Sequence, residues 1–196
     1  MKKSLIVIII LFFSVPSFCQ DWTDEQLGQA DTGRDIDQLS EIEKDAIMFI
    51  NLARLFPIEF VKIELESYTG PEGNENSLNN STYKKSLVTL LNNSKPVGPL
   101  SFDNSLYQNA KCFAKESGIK GTVGHKRKNC PANYSAECCS YGMDNGEDIA
   151  MQWLIDDKVQ TLGHRRNCLN KAYSKIGIST YSHKKYGTCA VADMSW

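Results

Sequence analysis

Gly163-His164-Arg165-Arg166-Asn167 is the stretch whose surroundings decide the fold. An apolar, helix-like run from Gly146 to Asp157 leads into it, and two candidate strands, Ile176–Ser182 and Thr188–Trp196, follow it. The chain has 3 histidines, and His164 sits here between a glycine and two arginines. A second, His125, also follows a glycine. Between them lie Glu137, Glu147, Asp148, Asp156 and Asp157, so imidazoles and carboxylates are present for a metal or acid–base site. No compact ligand motif of the H-E-x-x-H kind joins them.

Working outward, the capping box Ser40-x-x-Glu43 predicts a helix with Ile42, Ala46, Phe49, Ile50 and Ala53 on one face. Pro57 ends it and starts another, Ile58–Glu66. Residues 67–80, rich in Gly, Asn and Glu, read as a polar insertion, and Thr82–Leu91 as a short helix. Leu100–Asp103 opens a strong helix with Leu106, Ala110, Phe113 and Ala114 buried, and Gly118 is read as its stop. Val123–Tyr141 has little periodicity and three cysteines, and reads as a cross-linked loop region. A helix near Glu147–Asp156 and a shorter one over His164–Leu169 precede the two strands, which a hairpin-length turn joins at His183–Gly187. Helices first and a terminal hairpin give the α+β class.

Residues 1–19 read as a signal peptide: basic Lys2-Lys3, an apolar run Leu5–Phe13 too short to span a bilayer, and a small-residue cleavage site at Ser17-Phe18-Cys19. A lipid anchor on Cys19 is the weaker reading, because Pro16 and Phe18 do not suit that motif. Residues 20–39 read as a flexible lead-in and 40–196 as a single domain. Removing Lys2 and Lys3 shifts the formal charge of -1 only slightly, so nothing favours nucleic acid or an anionic membrane as partner. After signal cleavage no integral membrane segment is expected, and the mature chain is placed outside the cytoplasm. Of the 7 cysteines, six remain after cleavage, and an even number in an exported chain points to disulfides.

Several residues, in this order, resemble one family. Asn51-x-x-Arg54, the Leu100-to-Ala114 helix, Gly124-His125, Ala136-Glu137-Cys138, Trp153, Leu162–Asn167, Ile176-Gly-Ile and Ala190-Val-Ala are similar to motifs of the CAP superfamily. These are the cysteine-rich secretory, antigen 5 and plant pathogenesis-related class 1 proteins, and the match is to the bacterial form. The resemblance implies a three-layer α-β-α sandwich with a wide cleft. It implies a metal tetrad of His125, Glu137, Asp156 and His164, holding zinc or another divalent cation. Glu147 is a competing acid, at a helix start where it suits the dipole. The resemblance further implies a Cys168–Cys189 disulfide; three bridges are expected in all, with vicinal Cys138 and Cys139 pairing to Cys112 and Cys130 in either order. A loop of about 20 residues closed this way gives roughly 3 kcal/mol.

The basic run Lys126-Arg127-Lys128 reads as solvated loop charge, and His183 as an exposed turn residue. Arg165 and Arg166 read as a pair that splits, one to a buried carboxylate and one to solvent. Trp153 reads as core, and Asn51 and Arg54 as structural pins. No G-x-S-x-G elbow is present, and the cysteines are better read as bridges than as nucleophiles. The function that the family resemblance implies is a secreted module that binds a lipid, a sterol or a partner protein in or around the cleft. The alternative is a metal-dependent hydrolase, in which Glu137 is base to a metal-activated water.

Overall fold

The computed structural model describes residues 21–196, so the expected signal peptide lies outside the described residues. The elements run α1 Asp24–Ala30, α2 Glu41–Leu55, α3 Pro57–Phe60, a π-helical turn Val61–Leu65, α4 Thr82–Asn92, β1 Ser101–Phe102 and α5 Asn104–Lys120. β2 Ala136–Tyr141, α6 Gly146–Ile155, α7 Gly163–Cys168, β3 Lys175–His183 and β4 Gly187–Ser195 complete the order. The four strands lie in the order β1-β3-β4-β2, so β2 is an edge. Its pairing with β4 sets Glu137 opposite Asp193 and Cys139 opposite Val191.

Alternation along the strands sorts side chains into two cores. Cys139, Cys189 and Val191 face α5 and pack with Ala110, Phe113 and Ala114. Cys138, Ile176, Ile178, Ala190, Ala192 and Met194 face the other way, into a larger core with α2 and α6 that includes Trp153, 0% exposed. Helices on both faces of the sheet give the expected α+β layers. The Ser40–Glu43 capping box forms. The buried Glu43 also reaches β3, accepting from the Thr180 N–H at 2.6 Å and so tying α2 to the sheet.

Asn51 and Arg54 pin α2 through backbone groups, each remote in sequence. Asn51 Nδ2 donates to Ala30 O and Leu100 O at 2.9 and 3.0 Å, and its Oδ1 accepts from the Leu100 N–H at 2.7 Å. Arg54, buried, donates to the carbonyls of Gly98, Cys168, Asn170 and Tyr173. Satisfying buried carbonyls with one side chain is how such irregular connections persist inside a protein.

Three local expectations change. The lead-in is ordered: Thr23 makes a capping box for α1, Ala30 and Leu39 are buried, and Trp22 Nε1 donates to Glu64 Oε1 at 2.5 Å. Gly118 does not end α5; Gly121, at φ 66°, is the C-cap. Gly118 instead permits close packing, because a Cβ there would overlap Ser182 O. Gly177 serves the same contact from β3, where a Cβ would overlap the backbone of Leu106 and Tyr107. The region Val123–Tyr141 is loop only to Ser135, since its last six residues form β2.

The disulfides also differ. Cys112 and Cys130 bond to each other, while Cys138, Cys139, Cys168 and Cys189 are free and buried. The expected Cys168–Cys189 bond does not form, because the two lie on opposite faces of the sheet: Cys189 in the α5 core and Cys168 in the larger one. The same division separates vicinal Cys138 from Cys139, and neither bonds to Cys112 or Cys130, which are joined to each other.

Candidate functional site

The free edge of β2 is the floor of a cleft of about 380 Å³. His125 enters from the loop on the α5 side, and His164 from the start of α7 on the other side. Their ring centroids are 6.3 Å apart. Each imidazole is held by a buried carboxylate at Nδ1: His125 by Glu137 Oε1 at 2.7 Å, and His164 by Asp156 Oδ1 at 2.8 Å. With each Nδ1–H donating to a carboxylate, each Nε2 lone pair is left for the cleft. The four residues of the expected tetrad are therefore gathered in one place, as two His–carboxylate pairs.

Asp156 reaches this position through backbone geometry. It is the C-cap of α6 and adopts the left-handed conformation, φ 55° and ψ 44°, which Asp tolerates better than most residues. The turn swings its carboxylate over the start of α7. There Oδ2 accepts from the backbone N–H groups of His164 and Arg165, at 3.0 and 3.4 Å. Lys158 and Leu162 in the same connection also have positive φ, 62° and 50°. Arg165, buried just beyond, donates to the Leu154 and Ile155 carbonyls at 2.7 and 2.6 Å and to Tyr83 O, closing the corner. It contacts four neutral oxygens rather than the buried carboxylate expected of it, while Arg166 is exposed.

The His125 pair is built differently. Glu137 points to the α5 face and is shared with Arg127, whose Nε donates to Glu137 Oε2 at 2.9 Å and whose Nη2 contacts the same oxygen. Nη2 also reaches Asp193 at 2.6 and 2.8 Å. The guanidinium lies between the rings of Phe113 and Tyr134, at 4.7 and 4.5 Å from their centroids. Its side chain is 4% exposed, so Arg127 is no solvated loop charge. Burial pushes the Asp193 carboxyl up to about 7, against the pull of Arg127. The hydrogen bond to Glu137 raises His125 above the ordinary imidazole range, with burial and Arg127 opposing.

Cys139 also lines the cleft, with Sγ 3.7 Å from His125 Nδ1. His125, Glu137 and Cys139 together offer donor atoms within 4.8 Å of one another. A Cys–His–Glu relay is not what this makes. Thiol and carboxylate compete for the same ring nitrogen, whereas a relay needs one at each. Burial also pushes the Cys139 thiol up, away from a ready nucleophile.

The donor set fits a divalent ion such as zinc. Bond lengths of about 2.0–2.1 Å place two imidazole centroids about 5 Å apart on one tetrahedral ion, so roughly half an ångström of movement per ring suffices. Glu147 does not take part. It sits in the first turn of α6, about 13 Å of helix away from Asp156. His183 is buried rather than exposed. Its Nδ1 accepts from the Lys185 and Tyr186 N–H groups at 3.2 Å, and its Nε2 bonds Thr122 O at 3.0 Å, so it shapes the β3–β4 turn.

The polar insertion at 67–80 contributes to the site: Tyr68, Pro71 and Leu78 line the cleft. Asp148 holds it there, accepting from Tyr68 OH at 2.6 Å and Glu72 N–H at 3.1 Å. Met143, Met151 and Ile155 add apolar surface. Asp148 also accepts from Nδ2 of Asn145, the N-cap of α6, at 2.8 Å, so one carboxylate serves the helix cap and anchors the insertion.

A search among curated proteins returned no match. The model of the cysteine-rich secretory protein (CAP) family matches residues 49–194, a span that includes both histidines, both carboxylates and the four strands short of the last residue of β4. This chain therefore belongs to the CAP, or cysteine-rich secretory protein, family.

Proposed function

We propose that the chain is an exported binding module. Its cleft takes a divalent ion between His125 and His164 and an apolar ligand against the neighbouring wall. The observation that carries the reading is the pairing of each histidine with its own buried carboxylate across one cavity. Such pairing fixes the tautomer and the ring orientation before anything binds. When bound, the ion would supply a Lewis acid beside the apolar part of the pocket wall. The chain's own residues orient the two imidazoles and exclude water from the wall lined by Leu78, Met143, Met151 and Ile155. The Cys112–Cys130 bond suits an oxidising compartment. Among the described residues, no helix is long and apolar enough to cross a membrane.

A fluorescent sterol or fatty-acyl probe titrated into purified protein tests the reading, with Met143→Lys as the cleft variant. Binding that saturates at one probe per chain and weakens at least tenfold in Met143→Lys supports it. Binding that the variant leaves unchanged overturns the apolar-ligand half. Peptide or ester hydrolysis that disappears with a chelator and with His164→Ala would move the conclusion to a hydrolase.

A further inference from the structure

Cys138 and Cys168 meet beneath the cleft. β2 presents Cys138 to the α7 side of the sheet, the reverse of the face that carries Glu137 and Cys139. The Cys138 sulfur lies 3.8 Å from the His164 carbonyl, 3.8 Å from Asn167 Nδ2, and against the Cys168 thiol. Both cysteines are 0% exposed. The approach of the two elements is fixed beside them, because Asn167 Nδ2 also donates to the Glu137 carbonyl at 3.1 Å.

We propose that Cys138 and Cys168 form a second disulfide in the oxidised protein, a covalent staple between the edge strand and the helix that carries His164. The two thiols give up two protons and two electrons as the S–S bond forms. The electrons pass to an external disulfide, of the glutathione or protein-oxidant class, which leaves as two thiols. Competing partners are poorly placed. Cys112 and Cys130 are already joined. Cys189 lies on the other face, its thiol donating to Ala114 O and Tyr181 O at 3.5 Å. Cys139 faces that side too but is diagonal to Cys189 in the β2–β4 ladder. Diagonal neighbours sit about 7–8 Å apart, beyond the Cα spacing of about 4.4–6.8 Å that a disulfide spans. Cys138 and Cys139 alternate along an extended strand, so their sulfurs point apart.

The position gives the bond a consequence. Cys138 follows Glu137 directly, and Cys168 lies about one helical turn after His164. The staple therefore fixes the spacing between the two His–carboxylate pairs, whatever the cleft binds.

The test is peptide mapping of the full chain after incubation with oxidised glutathione, alkylated while denatured but unreduced. Cleavage after Glu as well as Lys and Arg separates Cys130 from Cys138 at Glu137. The expected result is a peptide containing Cys138 linked to one containing Cys168, unchanged in Cys139→Ser and Cys189→Ser. In Cys168→Ser, Cys138 becomes alkylatable and the thermal midpoint falls by about 10 °C, as expected for losing a loop of this length. Free Cys138 and Cys168 in the oxidised wild type, or either linked to another cysteine, would overturn the proposal.

Discussion

The two halves of the cleft present the same pair of groups by opposite means. On the α5 side, Glu137 serves His125 while tied to a buried guanidinium and a second buried carboxylate. Its position is electrostatic, set by charges that come from a loop and two strands. On the other side, Asp156 serves His164 from a left-handed helix cap, bonding only to that histidine and to backbone N–H groups. Its position is conformational, set by φ and ψ. His125 is correspondingly the open one, with a side chain 56% exposed against 22% for His164. The contrast teaches that the orientation of an imidazole can be held by a charge network or by a backbone corner, and that the two fail differently.

Breaking the charge network should do the most damage. Arg127→Ala leaves Glu137 and Asp193 buried without their cation, and should cost about 3–5 kcal/mol by denaturant unfolding. Arg127→Ala/Asp193→Asn should recover part of this, and a loss below about 1 kcal/mol in the single variant would mean that the network is not what holds Glu137. On the conformational side, Asp156→Ala removes three bonds to a buried carboxylate and should cost about 2–3 kcal/mol. Asp156→Asn, which keeps an acceptor and tolerates the left-handed backbone, should cost less. Equal losses for Ala and Asn would remove the capping role.

The pH dependence separates the halves further. Glu137 raises the folded value of His125 above the unfolded ~6.5, so its contribution is complete below that value and is lost as pH rises through the folded one. Asp193 has the same sign. The folded carboxyl holds its proton up to about 7 while the unfolded one ionises near ~3.9, so its stability contribution falls as pH rises between them. Unfolding measured from pH 4 to pH 8 should show Asp193→Asn flattening the lower part of that decline. Glu137→Gln should bring the His125 titration, followed by NMR, back to ~6.5 or below; an unmoved midpoint would show that Glu137 does not set it. The smallest effect belongs to the strained corner. Lys158, 88% exposed with φ 62°, should gain up to about 1 kcal/mol as Lys158→Gly, with no change at His125.

What the sequence disclosed follows the same division. Local and motif-carried features were readable: the Ser40–Glu43 box, the terminal hairpin, and the four residues His125, Glu137, Asp156 and His164 now found as two pairs. Features made by distant partners were not. Arg127 sits among lysines and reads as solvated because Asp193, its partner, comes 66 residues later. His183 reads as an exposed turn residue because the carbonyl it meets belongs to Thr122, 61 residues earlier. Gly118 reads as a stop because nothing local reveals the strand pressed against it. The cysteines were counted correctly, but which face each takes depends on the strand register, and that register decides their partners.

The central claim is that both histidines turn Nε2 to one shared site, and calorimetric titration of zinc into metal-free wild type, His125→Ala and His164→Ala tests it most directly. One ion per wild-type chain is expected, with affinity reduced at least a hundredfold by either substitution and about 10–100-fold by Asp156→Asn. Equal zinc binding by His164→Ala and wild type would contradict it.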